Sequence, residues 1–305
     1  MSIKKISLIG MGAIGCAYGS KLHDLAPENL HVIADGERIK RYREDGFIIN
    51  GKPYSFNYVT PENETEPADL VIIAVKFTQL PQAIRDIRNH VGEKTIILSL
   101  LNGISSEEMI AESYGTDKIL YSLCNAIDAN REGNNVDFTT YGIIYFGEKT
   151  NTVYSEKVNA VKNLFDRAGI DYKIPENMMR ALWYKFMVNV GINQSSAVTG
   201  GRYGTFQTNQ QAIDLMISAM REIISISEKA GIGLNEQDIQ NQLDIFKKMN
   251  PEGRTSMLQD IESGRKTEVD MFSGTVCRLG EKYGVPTPVN RTLYRIIKTL
   301  ESTRR

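Results

Sequence analysis

The stretch that most restricts this chain lies at its start: KISLIGMGAIG, residues 5–15. An apolar run ends on glycines at positions 10, 12 and 15, in the spacing G-x-G-x-x-G. Each glycine has a separate physical task. Gly10 permits a tight turn, Gly12 lets the backbone approach a pyrophosphate, and Gly15 lets a helix pack closely on the strand before it. The pattern is weak alone. Here it follows a strand-like run and opens a helix-like one, Ala13 to Leu25, which is the context it needs. The amides of Met11, Gly12, Ala13 and Ile14 would then meet the phosphates at the helix N-terminus. A merely tight strand–helix turn is the competing reading.

Asp35 lies about twenty residues after Gly15, at the end of a second strand-like run, LHVIA. A carboxylate there accepts hydrogen bonds from ribose hydroxyls and repels a 2′-phosphate, which favours NAD over NADP. Arg38, Lys40 and Arg41 follow. They either reach a phosphate or form the solvated face of a short helix, and the cofactor choice stays open.

The rest of the first half alternates in kind. ADLVIIAV and KTIILSL are continuous apolar runs with polar borders, as in parallel strands covered on both faces. GERIKRYREDG, QLPQAIRDIRNHV and SEKVNAVKNLFDRAG read as helices, the last closed by Gly169. FIINGKPYSFNYV reads as a hairpin turning at Asn50-Gly51, and KILYSLC and GIIYFGE as further strands. Alternation of this kind predicts an α/β fold, a Rossmann-type doubly wound parallel sheet over residues 1–174. From Met178 the texture is helical, with Asn235 as a plausible N-cap, so residues 175–305 are expected to form an all-helical second domain.

Composition narrows the function. The formal charge is −1 with no basic block, which suggests neither nucleic acid nor an anionic membrane as partner. The 3 cysteines (Cys16, Cys124, Cys277) and 3 histidines are scattered, so neither disulfides nor a metal site is expected, and a reducing cytoplasm fits. Gly10, Gly12, Gly15 and Gly19 interrupt the N-terminal apolar run, which argues against a signal peptide. No apolar run approaches the ~20 residues that span a bilayer.

One segment is at odds with its own hydropathy. LWYKFMVNVGIN, residues 182–193, is apolar except for Lys185, Asn189 and Asn193. Steps of four return to nearly the same side of a helix, so these three form one polar stripe on a helix that is otherwise made for burial. An ammonium is not buried without partners. The stripe therefore lines an enclosed polar cleft, or it faces solvent or backbone carbonyls.

Several motifs in order then point one way. LIGMGAIG, AVKFTQ, LNG, LWYKFMVNVGIN, TSMLQDIESGRKTEVD and GVPTPVNRTLY together make the chain resemble the ketopantoate reductase (2-dehydropantoate 2-reductase) family over essentially its whole length. The resemblance implies reduction of a 2-keto acid, ketopantoate to pantoate, by NADPH or NADH in pantothenate synthesis, in a cleft between the domains. By motif, Lys185 matches the catalytic lysine and Glu268 its carboxylate partner. Asn189, Asn193 and Ser256 match substrate contacts, Asn102 the residue between cofactor and substrate, and Lys76 the lysine beside the nicotinamide. Taken alone, Glu268 reads more readily as a surface residue and Asn102-Gly103 as a turn, while Ser256 reads equally as a helix cap and Lys76 also as a solvated strand end. There are two departures. Asp35 stands where the family usually has an arginine that holds NADPH. Gln194 follows Asn193 where proline is common, which loosens the expected turn. A related 2-hydroxyacid dehydrogenase acting on a branched or aromatic 2-keto acid, and a non-catalytic dinucleotide sensor, are the competing functions. The long helices of the second half would also suit a homodimer.

Overall fold

The computed structural model describes residues 2–63 and 66–303. Contacts divide them into two units: one holds residues up to Asn102 together with Ser106–Met179, and the other Gly103–Ser105 with Arg180 onward.

The first unit is built on ten strands: β1 (Ile6–Ile9), β2 (Leu30–Ile33), β3 (Phe47–Ile49), β4 (Lys52–Tyr54), β5 (Asn57–Val59), β6 (Leu70–Ile73), β7 (Ile96–Ser99), β8 (Ile119–Glu132), β9 (Asn135–Gly147) and β10 (Tyr172–Lys173). Its helices are α1 (Ala13–Leu25), α2 (Gly36–Asp45), α3 (Leu80–Asp86), α4 (Ser106–Tyr114) and α5 (Glu156–Ala168). The parallel strands stand in the order β5-β2-β1-β6-β7-β8, so in chain order they read 3-2-1-4-5-6. This is the doubly wound arrangement, and its strand order reverses between β1 and β6. Every residue of β1, β6 and β7 is buried. Alternate side chains feed two separate clusters: Leu8, Leu70, Ile72 and Leu98 on one face, and Ile9, Val71, Ile73 and Ile97 on the other. A strand apolar throughout is what a sheet covered on both faces requires.

The expected hairpin at Asn50-Gly51 is present. Asn50 and Gly51 take φ of 47° and 73°, and β3 and β4 pair antiparallel. Its last segment leaves the hairpin, because β5 pairs parallel with β2. The sheet also carries an antiparallel ribbon, β8 with β9, much longer than the two short strands anticipated there. Its polar alternation belongs to an exposed two-stranded arm and is easily mistaken for loop.

The second unit contains most of α6 (Met178–Thr199), then α7 (Thr205–Thr208), α8 (Gln210–Lys229), α9 (Glu236–Phe246), α10 (Ser256–Glu262), α11 (Ser273–Tyr283) and α12 (Pro288–Thr303). Leu182, Trp183, Phe186, Met187 and Val190 of α6 are buried, as a helix apolar on most sides demands. Asn235 caps α9 in a reciprocal capping box with Asp238. Gln194 does not loosen α6. The helix runs through it to Thr199, and its side chain is fully buried. Gln194 Nε2 donates to Asn290 Oδ1 at 3.2 Å and Ser273 N donates to Gln194 Oε1 at 3.1 Å. Asn290 in turn donates through Nδ2 to Glu222 Oε2 at 2.7 Å, and the Glu222 carboxylate also accepts from the backbone N–H groups of Val289 and Asn290 at 2.7 and 3.0 Å. This buried polar chain joins α6, α8, α11 and α12. No described helix is long and apolar enough to cross a membrane.

Candidate active site

The glycine turn sits at the reversal point of the strand order, beside the end of β6. A Cβ on Gly10 (φ 101°) would fall 2.6 Å from the Ala74 carbonyl, and a Cβ on Gly15 would fall 1.8 Å from Gly10 O. Both glycines are demanded by packing within the protein. Gly12 is different. Its φ of −77° is open to any residue, and a Cβ there would meet nothing closer than Ala74 O at 4.0 Å. Nothing among the described residues demands glycine at position 12, and the open space leaves the backbone there accessible to close approach. Gly12 is also the N-cap of α1, with no side-chain cap bond and no acidic residue in the first turn. Uncapped amides at a helix N-terminus, approached across an open glycine, fit the diphosphate of a dinucleotide.

Asp35 has a structural task. It is the N-cap of α2: Oδ1 accepts from Arg38 N at 2.7 Å, and Oδ2 lies 3.7 Å from Arg38 Nε. A carboxylate offers about four acceptor positions, so a ribose hydroxyl can still be accommodated. Lys76 is exposed; it lies beyond the end of β6, two residues after Ala74, and caps the short 3-10 helix Phe77–Gln79. Asn102 is half-buried, just beyond Leu100 and Leu101, and Leu100 N donates to Ile73 O at 2.9 Å. Arg131 was not anticipated. From the end of β8 its Nη1 donates to Met11 O at 2.5 Å and its Nε to Gly133 O at 2.8 Å, so the ribbon arm holds the glycine turn from outside. The only hint in the sequence is the turn-like Glu132-Gly133-Asn134 at the arm's tip.

In the second unit the stripe on α6 is real. Lys185 and Asn189 are half-buried, and Asn193 is buried. Asn193 Nδ2 donates to Asn189 Oδ1 at 3.4 Å, and Ser256 Oγ donates to Asn193 Oδ1 at 3.3 Å. These three expected residues are therefore brought together. Their mutual bonds are long, and an anionic ligand could readily replace them. Ser256 is not the cap of α10. Thr255 is, through Oγ1 accepting from Leu258 N at 3.2 Å, which leaves the Ser256 hydroxyl to face α6. The start of α6 is fixed to α9 by Arg180 on both Asp238 oxygens at 2.8 Å and by Tyr184 Oη on Gln242 Oε1 at 3.0 Å. Lys185 thus projects from an anchored backbone.

Glu268 lies in a non-helical segment between α10 and α11, half-buried between buried Thr267 and Val269. That segment is pinned to α12 on both sides of Glu268. Thr267 N and Oγ1 each donate to Glu301 Oε1 at 2.7 Å, while Asp270 accepts from Tyr294 Oη at 2.7 Å and pairs with Lys298 at 3.0 Å. Those two donors hold the Asp270 carboxyl below its usual range in spite of its partial burial. Gly103 (φ 90°) packs with Met271, where a Cβ would fall 2.8 Å from Met271 Cγ. Among the described residues, no group of three or more His, Cys, Asp or Glu could hold a metal ion.

A doubly wound sheet with a glycine turn at its reversal point, open to a diphosphate, together with a helical unit carrying a polar stripe, defines a dinucleotide-dependent oxidoreductase. The chain belongs to the ketopantoate reductase family: the model described as Ketopantoate reductase PanE/ApbA matches residues 6–151, and the one for its C-terminal part matches residues 177–301. It is accordingly an enzyme that uses a nicotinamide dinucleotide. A 2-dehydropantoate 2-reductase from Pyrococcus horikoshii is 27% identical over 305 residues, covering 98% of both chains. One from Streptococcus pyogenes is 25% identical over 302 residues, covering 97% of this chain and 98% of that one. Among solved structures, a D-mandelate dehydrogenase with NADH and anilino(oxo)acetate has a TM-score of 0.86 at 25% identity, covering 98% of this chain and 99% of that one.

Proposed function

We propose that the enzyme reduces 2-dehydropantoate to pantoate, a step of pantothenate synthesis, with Lys185 as general acid. The observation that carries this is the cluster of Asn189 and Asn193, on the same helix as Lys185, with Ser256 of α10 bonded to Asn193: polar groups gathered against a helix otherwise packed in apolar residues. Neutral amides and a hydroxyl orient a carboxylate and a carbonyl without adding charge. The bound nicotinamide supplies the hydride. Lys185 Nζ delivers a proton to the oxygen that gains negative charge as the C2 carbonyl is reduced, and the amine regains its proton from water. A positioned acid of this kind contributes about 10²–10⁴-fold. Glu268 holds the lysine or accepts from a substrate hydroxyl. Asn102 and Lys76 contact the nicotinamide end, and Gly10 to Gly15 hold the diphosphate.

A second reading is favoured by the D-mandelate dehydrogenase likeness and by Asp35: an NADH-dependent reductase of an aromatic or other branched 2-keto acid. A panel of 2-dehydropantoate against branched and aromatic 2-keto acids, each with NADH and NADPH, tests the two. The proposal expects the highest kcat/KM for 2-dehydropantoate. A tenfold or greater preference for an aromatic 2-keto acid would replace it with the second reading.

A further inference from the structure

The loop that carries Asn102 is closed at its neck by a ring of buried polar groups. Ser99, the last residue of β7, and Ser106, the first of α4, flank it, and Ser99 Oγ donates to Ser106 Oγ at 2.8 Å. Ser106 Oγ donates onward to Glu107 Oε2 at 2.8 Å, and Glu107 Oε1 accepts from Ser122 N of β8 at 3.4 Å. Ser122 Oγ returns to Ser99 O at 2.7 Å. All four residues are buried, with exposures of 1%, 2%, 3% and 1% in the order Ser99, Ser106, Glu107, Ser122.

A glutamate in the first turn of a surface helix ordinarily faces water. Glu107 instead points under the sheet's carboxyl edge, where burial pushes its carboxyl up to about 7 against the opposing bond from Ser106. Burying a carboxyl is costly. What it does accomplish is local: it fixes Ser106, which fixes Ser99, and so sets both ends of the six-residue span 100–105. Strands β7 and β8, the start of α4 and the loop neck are thereby tied together.

We propose that Glu107, with Ser106 and Ser99, is a positioning device for Asn102, setting where its side chain stands during hydride transfer. The proposal rests on the reading of Asn102 as a contact of substrate and nicotinamide. Its test uses the purified enzyme with NADH or NADPH and the best 2-keto acid of the panel, comparing S99A, S106A, E107Q, N102A and the double variant N102A/S106A. S106A and S99A should each lower kcat/KM at least tenfold, with cofactor Kd within about threefold of the parent. E107Q, which keeps the shape and a hydrogen-bonding head group, should retain activity within about threefold. N102A should lose more than S106A, and the double variant should be no worse than N102A alone, because the ring acts only through that side chain. Losses that multiply in the double variant, or parent-like kinetics in both S99A and S106A while N102A is impaired, would overturn the positioning role. Parent-like kinetics in N102A would instead remove the reading of Asn102 itself. Should S106A fail to fold, S99A leaves the Ser106–Glu107 bond in place and carries the same comparison.

Discussion

Gly12 is the residue whose identity depends most on something outside the protein. Its backbone is ordinary and the space beside it is open, whereas Gly10 and Gly15 are forced by contacts of 2.6 and 1.8 Å. Gly12→Ala should therefore weaken NAD(P)H binding at least tenfold, about 1.4 kcal/mol, with a melting temperature within about 2 °C of the parent. Titration by nicotinamide fluorescence alongside a thermal melt checks this. Unchanged affinity would mean that no diphosphate approaches there. Gly15→Ala should instead fail to give folded protein. The packing tasks of Gly10 and Gly15 were legible in the sequence because spacing alone encodes them. The capping of α2 by Asp35, through Arg38 N, follows from its place before a helix, and a reading aimed at the ribose overlooks it. Glu107 was not legible at all. In SSEEMIAESY it looks like a solvent-facing helix residue, and its burial depends on Ser99 and Ser122, which other strands supply.

Elements that follow local rules were found from the sequence with close boundaries. Helix α1 begins at the glycine turn, α5 ends at left-handed Gly169, and α9 starts at a capping Asn235. Those that depend on distant partners were not. The ribbon of β8 and β9 is polar along much of its length, and its strands are recognisable only as a pair. Helix α10 spans seven residues, too short for its periodicity to show, yet it places Ser256 against α6. Thr255→Ala should cost about 1 kcal/mol through the lost cap and raise KM for the keto acid by loosening Ser256. Urea denaturation and steady-state kinetics measure both, and a lowered denaturation midpoint with unchanged KM would separate Ser256 from the substrate. At Gln194 the sequence suggested a loosened turn, whereas the structure has a buried amide with its partners in place. Gln194→Leu leaves buried groups of Ser273 and Asn290 without it, at about 1–3 kcal/mol for each group that goes unpaired. A denaturation midpoint unchanged by Q194L would contradict the network.

For the molecule as a whole, two buried titratable groups of the first unit act on stability in opposite senses. Burial and the nearby Lys5 and His31 charges lower His90 to about 4, and its Nδ1 meets Ser7 Oγ at 2.9 Å. The unfolded chain takes up that proton at about 6.5, so this stability is present above pH 6.5 and is lost as pH falls toward 4. Glu107 runs the other way: its contribution is full below about 4.5 and is lost as pH rises toward 7. His90→Gln should accordingly flatten the fall in stability between pH 6.5 and 4, read from chemical denaturation at several pH values. A slope equal to the parent's would show that His90 is protonated in the folded protein. The fold class was legible from alternation of strand and helix. The strand order was not, because which strands are neighbours is decided by packing that no local pattern records.

The proposed function turns on Lys185 acting as the general acid. The direct measurement is Lys185→Ala in the purified enzyme, with cofactor affinity and single-turnover oxidation of NAD(P)H by the best 2-keto acid followed together. Cofactor Kd should stay within about threefold of the parent while the rate falls at least a hundredfold, as loss of a general acid requires. A rate within a few-fold of the parent would contradict that role.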